Sequence, residues 1–149
     1  MFFDFAYCSA ETCIAIGRDM KSVLEDKNVV PSRIVVIPNW SETNIVKPID
    51  KLETNLIKKL NIKDKFIFQF AGNLGHAQGL NNLIEAIKLV TNANIHFLFI
   101  GAGAMDDKIK EFEKNIPLNN LTHIGLQKRS EQNDFLNACD VSLITLSPG

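Results

Sequence analysis

Lys65–Leu80, KFIFQFAGNLGHAQGL, decides how this chain folds. Lys65 to Phe70 is a short apolar run of strand length, rich in aromatic side chains. Gly72, Gly75 and Gly79 then fall within eight residues, where backbone can turn tightly and approach a neighbour closely. Leu80, Leu83, Ile84, Ile87 and Val90 follow at i, i+3, i+4, i+7 spacing, which predicts a helix that lays one apolar stripe on a sheet. Strand, glycine-punctuated bend and helix make one β-α unit.

The pattern repeats outward. Downstream, Ile95–Ile100 reads as a buried strand, Asp106–Lys114 as a helix with Ile109 and Phe112 inward, and Leu121–Ile124 as a third strand. Ser130 is the expected N-cap of a helix over Glu131–Ala138, and Val141–Leu146 is the last strand. Upstream, Leu52, Leu56, Ile57 and Leu60 suggest a short helix. Earlier still, Thr12–Ile16 reads as a strand, Asp19, Met20, Val23 and Leu24 as a helix stopped by Asn28, and Ile34–Ile37 as a strand too continuous to have a wet face. Strands alternating with amphipathic helices predict an α/β fold, a Rossmann-like parallel sheet with helices on both faces. The polar stretch Ser41–Lys47, closed by Pro48, is the expected linker, so residues 1–48 are assigned to the end of one domain with its hinge, and 49–149 to part of a second. No crossover helix follows the last strand, and the second domain is therefore expected to be truncated.

Composition narrows the function classes. Sixteen Lys and Arg against seventeen Asp and Glu leave a formal charge of -1, so no overall field selects nucleic acid or an anionic membrane. Any anion site has to be local. Cys8, Cys13 and Cys139 lack a C-x-x-C pair and are expected to be reduced core thiols. Asp4 and Glu11 interrupt the apolar opening stretch, no basic region precedes it, and a signal peptide is not expected. His76, His96 and His123 lie in three segments without metal-ligand spacing; His96 and His123 are read as hydrogen-bonded strand histidines. No metal site is expected.

Ligands of open parallel sheets collect at the carboxyl ends of the strands. The loop Ala71–Gly79 is the most informative there, because its glycines let backbone N–H groups face an anion at the start of a helix. A helix terminus contributes only about 0.3–1 kcal/mol toward an anion, so charge-assisted hydrogen bonds of roughly 1.5–3 kcal/mol each would have to come from His76 and the Asn73 and Gln78 amides. The same glycines also suit a plain strand-to-helix turn, and spacing leaves both open. The second loop, Gly101-Ala102-Gly103-Ala104-Met105-Asp106, has Asp106 where a dinucleotide fingerprint needs its third glycine. Gly125 and Leu126 stand where such a site needs a ribose-binding acid, which disfavours a nicotinamide dehydrogenase. The loop is read as a turn lining a pocket.

The ordered set of phrases resembles the retaining GT-B type glycosyltransferases of group 1, family 4 like, in the C-terminal donor-binding lobe. Lys27–Asn39 (KNVVPSRIVVIPN) with Trp40-Ser41-Glu42-Thr43 is similar to the hinge phrase "KI-VIPNGVD". Phe70–Leu80 (FAGNLGHAQGL), with Leu83, Glu85 and Ala86, is similar to "YSGNLGRAQGLDTLLEA". Phe97–Gly103 follows "FLFVGDG", Leu121–Gly125 follows "VTFLG", Phe135–Val141 follows "LLAAADV" and Leu146–Gly149 follows "PLKPG". The resemblance implies transfer of a sugar, with anomeric configuration retained, from a nucleoside-diphosphate donor of UDP or GDP type to a glycan or lipid-linked acceptor held by a missing lobe. It implies no separate cofactor and no nucleic acid partner. The implied setting is polysaccharide or glycolipid synthesis by a cytoplasmic protein, any membrane contact being peripheral and made by the full-length protein.

Carried over residue by residue, the donor site comprises Gly72, Asn73, Gly75, His76, Gln78 and Gly79 facing the diphosphate; Gly101, Ala102 and Gly103 beside them; Gly125, Leu126 and Gln127 at the nucleobase; and Pro148 and Gly149 near the donor. Two departures stand out. Many members carry an Arg shortly after the first strand and a Lys before the Gly-Leu pair, where this chain has Asn73 or His76 and Gln78. The acidic E-x7-E region is expected beyond Gly149 and most of the acceptor lobe is missing, so no catalytic residue is assigned and this chain alone is expected to be inactive. A non-catalytic nucleotide- or partner-binding module is the alternative that the missing basic side chains favour.

Overall fold

The computed structural model describes residues 2–147, which form two compact units divided between Thr43 and Asn44. The division falls inside the polar stretch Ser41–Lys47.

In the first unit, helix α1 (Phe2–Ser9) precedes strand β1 (Cys13–Ala15), helix α2 (Arg18–Asp26) and strand β2 (Ile34–Val36). β1 and β2 pair in parallel with Cys13 opposite Ile34, and Cys13, Ala15, Leu24, Val29 and Ile34 form a small core. Asn28 takes a left-handed conformation (φ 64°) just past α2, which Asn tolerates better than other side chains. Two expectations fail here. Val35 and Ile37 are exposed, because a sheet of two strands with α2 packed on one face leaves its other face uncovered. Cys8 is exposed rather than in the core, its thiol meeting the Lys27 carbonyl at 3.4 Å. The Lys27 ammonium also pairs with Asp4 at 2.6 Å and holds that carboxyl down at about 2.

The second unit runs α3 (Asn55–Leu60), β3 (Phe66–Ala71), α4 (Leu80–Lys88), β4 (Ile95–Ile100), α5 (Asp106–Asn115), β5 (Leu121–Ile124), α6 (Gln132–Leu136) and β6 (Val141–Ser142). All four strands are parallel, in the order β5-β4-β3-β6. Side chains alternate across the sheet. Phe70, Phe97 and Phe99 pack with Leu80, Ile84, Ile87 and Ile109 beneath α4 and α5, whereas Ile67, Leu98 and Ile100 meet Ile57 of α3 and Ala138 beyond α6. Both faces are thus covered, as the near-continuous apolar strands require. The chain steps outward from β3 to β4 to β5, then returns through α6 to the far side of β3. This reversal puts a topological switch point between β3 and β6.

The structure corrects three local expectations. Ser130 does not cap a helix; it lies within a single 3-10 turn, Arg129–Glu131, where the Glu131 carboxylate accepts the Lys128 N–H at 3.0 Å. Leu52 is exposed in another 3-10 turn, Lys51–Glu53, because the Asp50 side chain captures its N–H at 2.8 Å and the α-helix starts only at Asn55. The last strand ends at Ser142 instead of Leu146, since after Leu143 bonds to the Gln69 carbonyl at 2.7 Å the chain leaves the sheet.

Candidate functional site

The bend after β3 sits at the carboxyl edge beside the switch point, with Gly72, Asn73, His76 and Ala77 exposed. Its geometry depends on the loop after β4. Gly72 N–H donates to the Ile100 carbonyl (2.9 Å), Leu74 N–H to the Ala102 carbonyl (3.0 Å), and Met105 N–H back to the Leu74 carbonyl (2.9 Å). Leu74 is fully buried and pins the bend in the core under α4 and α5. Gly101 has φ +137°, and a Cβ there would lie 1.9 Å from the Gly72 carbonyl oxygen. A Cβ at Gly103 would lie 2.6 Å from the Leu74 carbonyl oxygen. These two glycines let one loop rest backbone-to-backbone on the other, a closeness no side chain allows. Asp106 replaces the missing third glycine with another function: its carboxylate accepts the Gly103 N–H at 2.9 Å at the start of α5.

At the other end of the bend, Gly79 is buried in the left-handed region (φ +64°) beneath the backbone of Leu146. Thr145 Oγ1 donates to the Gln78 carbonyl at 2.5 Å, and Ser147 N–H to the Ala77 carbonyl at 3.0 Å. Pro148 and Gly149 lie outside the described residues.

Four of the candidate residues from three loops converge. Gly72, Gly101, Leu126 and Gln127 line one crevice of about 280 Å³ with Ala71, Ile100 and the α6 residues Gln132, Phe135 and Leu136. Gln127 and Phe135 also line a neighbouring polar cleft of about 220 Å³, closed by Asn55, Lys59, Glu131 and Asp134. Either alone falls below the roughly 300–1,000 Å³ typical of small-molecule sites, so the crevice suits part of an extended ligand. Gly75, His76, Gln78 and Gly79 form a separate shoulder against Thr145–Ser147. A larger apolar cavity of about 390 Å³, lined by Ile87, Val90, Ile116 and Leu118 among others, opens at the opposite edge of the sheet, where parallel sheets do not carry ligands. Gly125 has nothing within 4 Å of the position its Cβ would take.

The histidines divide by role. His96 is buried with Nε2 2.9 Å from Thr122 Oγ1, and burial, with the nearby Lys65 ammonium, lowers its pKa from 6.5 to about 4. His123 Nε2 lies 3.3 Å from the Gly101 carbonyl oxygen, so it supports the second glycine loop from beneath. His76 is exposed on the bend. Among the described residues, no three His, Cys, Asp or Glu side chains gather closely enough to hold a metal ion, and no helix is long and apolar enough to cross a membrane.

Residues that motif matching passed over do much of the holding. Asp134 of α6 accepts the N–H groups of Asn55 (2.7 Å) and Leu56 (2.9 Å), capping α3 from another element. Asp140 accepts Ile67 N–H at 2.7 Å and pairs with Lys51 at 2.6 Å, fastening β3 to the turn before β6. Asn133 and Asn137 bind Lys47 and Ile49 N–H groups at 2.7 and 3.1 Å, so the linker's end is docked on α6.

Residues 53–147 match the family model of the glycosyl transferases group 1. The chain belongs to that family. Over 147 residues it is 38% identical to the probable glycosyltransferase WbjE of Pseudomonas aeruginosa, a match that covers 99% of this chain and 37% of that protein. Over 136 residues it is 26% identical to the putative colanic acid biosynthesis glycosyl transferase WcaI of Escherichia coli (strain K12), covering 90% of this chain and 33% of WcaI. The chain therefore spans about a third of the length of these relatives. Its fold is also that of Anabaena Alr3699/HepE, crystallised in complex with UDP-glucose: TM-score 0.75 at 18% identity, over 92% of this chain and 38% of HepE. This is the GT-B arrangement of parallel sheet and covering helices.

Proposed function

We propose that this chain supplies the donor-binding part of an enzyme that transfers a sugar, with retention, from a UDP- or GDP-type nucleoside-diphosphate donor to a glycan or lipid-linked acceptor in polysaccharide or glycolipid synthesis. The observation that carries the reading is the Gly72–Gly79 bend at the carboxyl edge of the sheet, where Gly72, Asn73, His76 and Ala77 are exposed and Gly72 also lines the crevice shared with Gly101, Leu126 and Gln127. The bend takes the diphosphate, the crevice the base and ribose. Binding of UDP-glucose by HepE, which shares the fold, supports this assignment. Residues 1–48 then belong to the acceptor lobe and hinge, and the rest of a longer cytoplasmic protein supplies the acceptor site and any peripheral membrane contact.

Cleaving the donor leaves negative charge on the departing diphosphate, and groups aimed at that charge are what lower the barrier. Asn73 and Gly75 N–H groups have no acceptor among the described residues, and His76 offers the bend's ionisable donor. The transfer draws on no resident cofactor, because the donor is itself the substrate. A second reading, a nucleotide- or partner-binding module without catalysis, draws support from one observation: Gly72–Gly79 contains no Lys or Arg.

Calorimetric titration with UDP, GDP and ADP tests the site, and a sugar-transfer assay of the full-length protein separates the two readings: transfer supports the first, selective binding without transfer the second. The donor reading expects one nucleotide to bind at least tenfold more tightly than the others, and His76→Arg or Gln78→Lys to tighten it severalfold through a new charge-assisted bond. Equal or absent binding of all three in the full-length protein leaves only the scaffold.

A further inference from the structure

Three hydrogen bonds join residues 145–147 to the bend, and all of them end on consecutive carbonyls. Thr145 Oγ1 donates to Gln78 (2.5 Å), Ser147 N–H to Ala77 (3.0 Å) and Ser147 Oγ to His76 (3.3 Å). The segment is itself anchored to the sheet, because Leu143 N–H donates to the Gln69 carbonyl at 2.7 Å. Described peptide bonds are all trans, and across a planar trans peptide the carbonyl and the following N–H point opposite ways. Holding the Gln78 carbonyl on the segment, as Thr145 does, therefore turns the Gly79 N–H away from it, and that N–H has no acceptor among the described residues. Gly79 completes the joint: a Cβ there would lie 3.0 Å from the Leu146 carbonyl carbon and oxygen, so the segment rests directly on backbone.

We infer that Thr145 is a positioning residue for the donor, acting through the Gln78 carbonyl to hold the bend in its binding conformation; the inference rests on the donor reading above. Of the three bonds, its hydroxyl makes the shortest, and it is part-buried where the Ser147 hydroxyl is exposed. Thr145→Val keeps the shape and removes the donor, leaving the Gln78 carbonyl without that partner. Thr145→Ser keeps the hydroxyl.

The test is calorimetric titration of the full chain and its variants with UDP and GDP, with thermal unfolding of each. Thr145→Val is expected to weaken the preferred nucleotide about three- to tenfold, the range of one lost hydrogen bond, with Thr145→Ser within about twofold of wild type. Ser147→Ala, which buries nothing new, is expected to weaken it less than Thr145→Val. Amide NMR adds a readout that general destabilisation does not move: in Thr145→Val, the Ala77 and Gly79 signals shift while those of β4 stay in place. Wild-type affinity in Thr145→Val, or equal loss in Thr145→Val and Thr145→Ser, overturns the inference and leaves the donor reading standing. A wild-type chain that binds neither nucleotide removes both.

Discussion

Single residues in this chain divide by what a side chain would meet. Gly101 has no room, since a Cβ would sit 1.9 Å from a neighbouring carbonyl oxygen at a φ that L residues rarely adopt. Gly125 has nothing within 4 Å. Gly101→Ala is therefore expected to cost about 3 kcal/mol or more, as strain and displacement of the Gly72 loop add. Gly125→Ala should change stability by less than about 0.5 kcal/mol. Urea unfolding midpoints check both. Because Gly125→Ala leaves the fold intact, any loss of nucleotide affinity in that variant reports a ligand at the loop; equal destabilisation by the two would contradict the packing described. Both glycines were legible as candidate site residues, but which of them is structural was not, because sequence shows the absent side chain and not the space it would fill.

At the scale of elements, α3 depends on a carboxylate from elsewhere. Its own N-cap, Thr54, makes no side-chain cap bond, and Asp134 supplies both acceptors from a position 79 residues along the chain from Asn55. Removing them takes the acceptors from two helix N-terminal donors and the favourable negative charge from the dipole's positive end. Asp134→Ala should cost about 1–2 kcal/mol in denaturant unfolding, with Asp134→Asn in between. Capping rules scan the few residues before a helix, which is why Ser130 drew attention and Asp134 did not. Strand positions were easier to read: Ile95–Ile100 and Leu121–Ile124 appear with the expected bounds. Burial on both faces writes itself into consecutive residues, whereas β6 ends early because Thr145 and Ser147 bond to the bend instead of to β3.

For the molecule as a whole, His96 contributes to the loss of stability in acid. Burial keeps its imidazole neutral in the folded chain down to about pH 4, while the unfolded chain takes up the proton below about 6.5. Unfolding then binds a proton throughout that interval, so the contribution is full above pH 6.5 and is lost as pH falls toward 4. His96→Gln should flatten the fall in unfolding free energy across this window while lowering stability at pH 7, where a buried hydrogen bond to Thr122 is altered. Chemical unfolding at four or five pH values checks it; an unchanged slope in His96→Gln would locate the acid sensitivity elsewhere.

What the sequence by itself determined is the layered architecture and the family: apolar periodicity and ordered phrases such as FAGNLGHAQGL are local, and local patterns survive without coordinates. Tertiary structure alone decided how the pieces meet. It interlocked the Gly72 and Gly101 loops, set Thr145 and Ser147 on the carbonyls of the bend, brought Asp134 to α3, and uncovered Val35, Ile37 and Cys8 in the first unit. The physical reason is that close approach, hydrogen bonding across tens of residues and exposure all depend on which surfaces face one another, and no single stretch of chain carries that information.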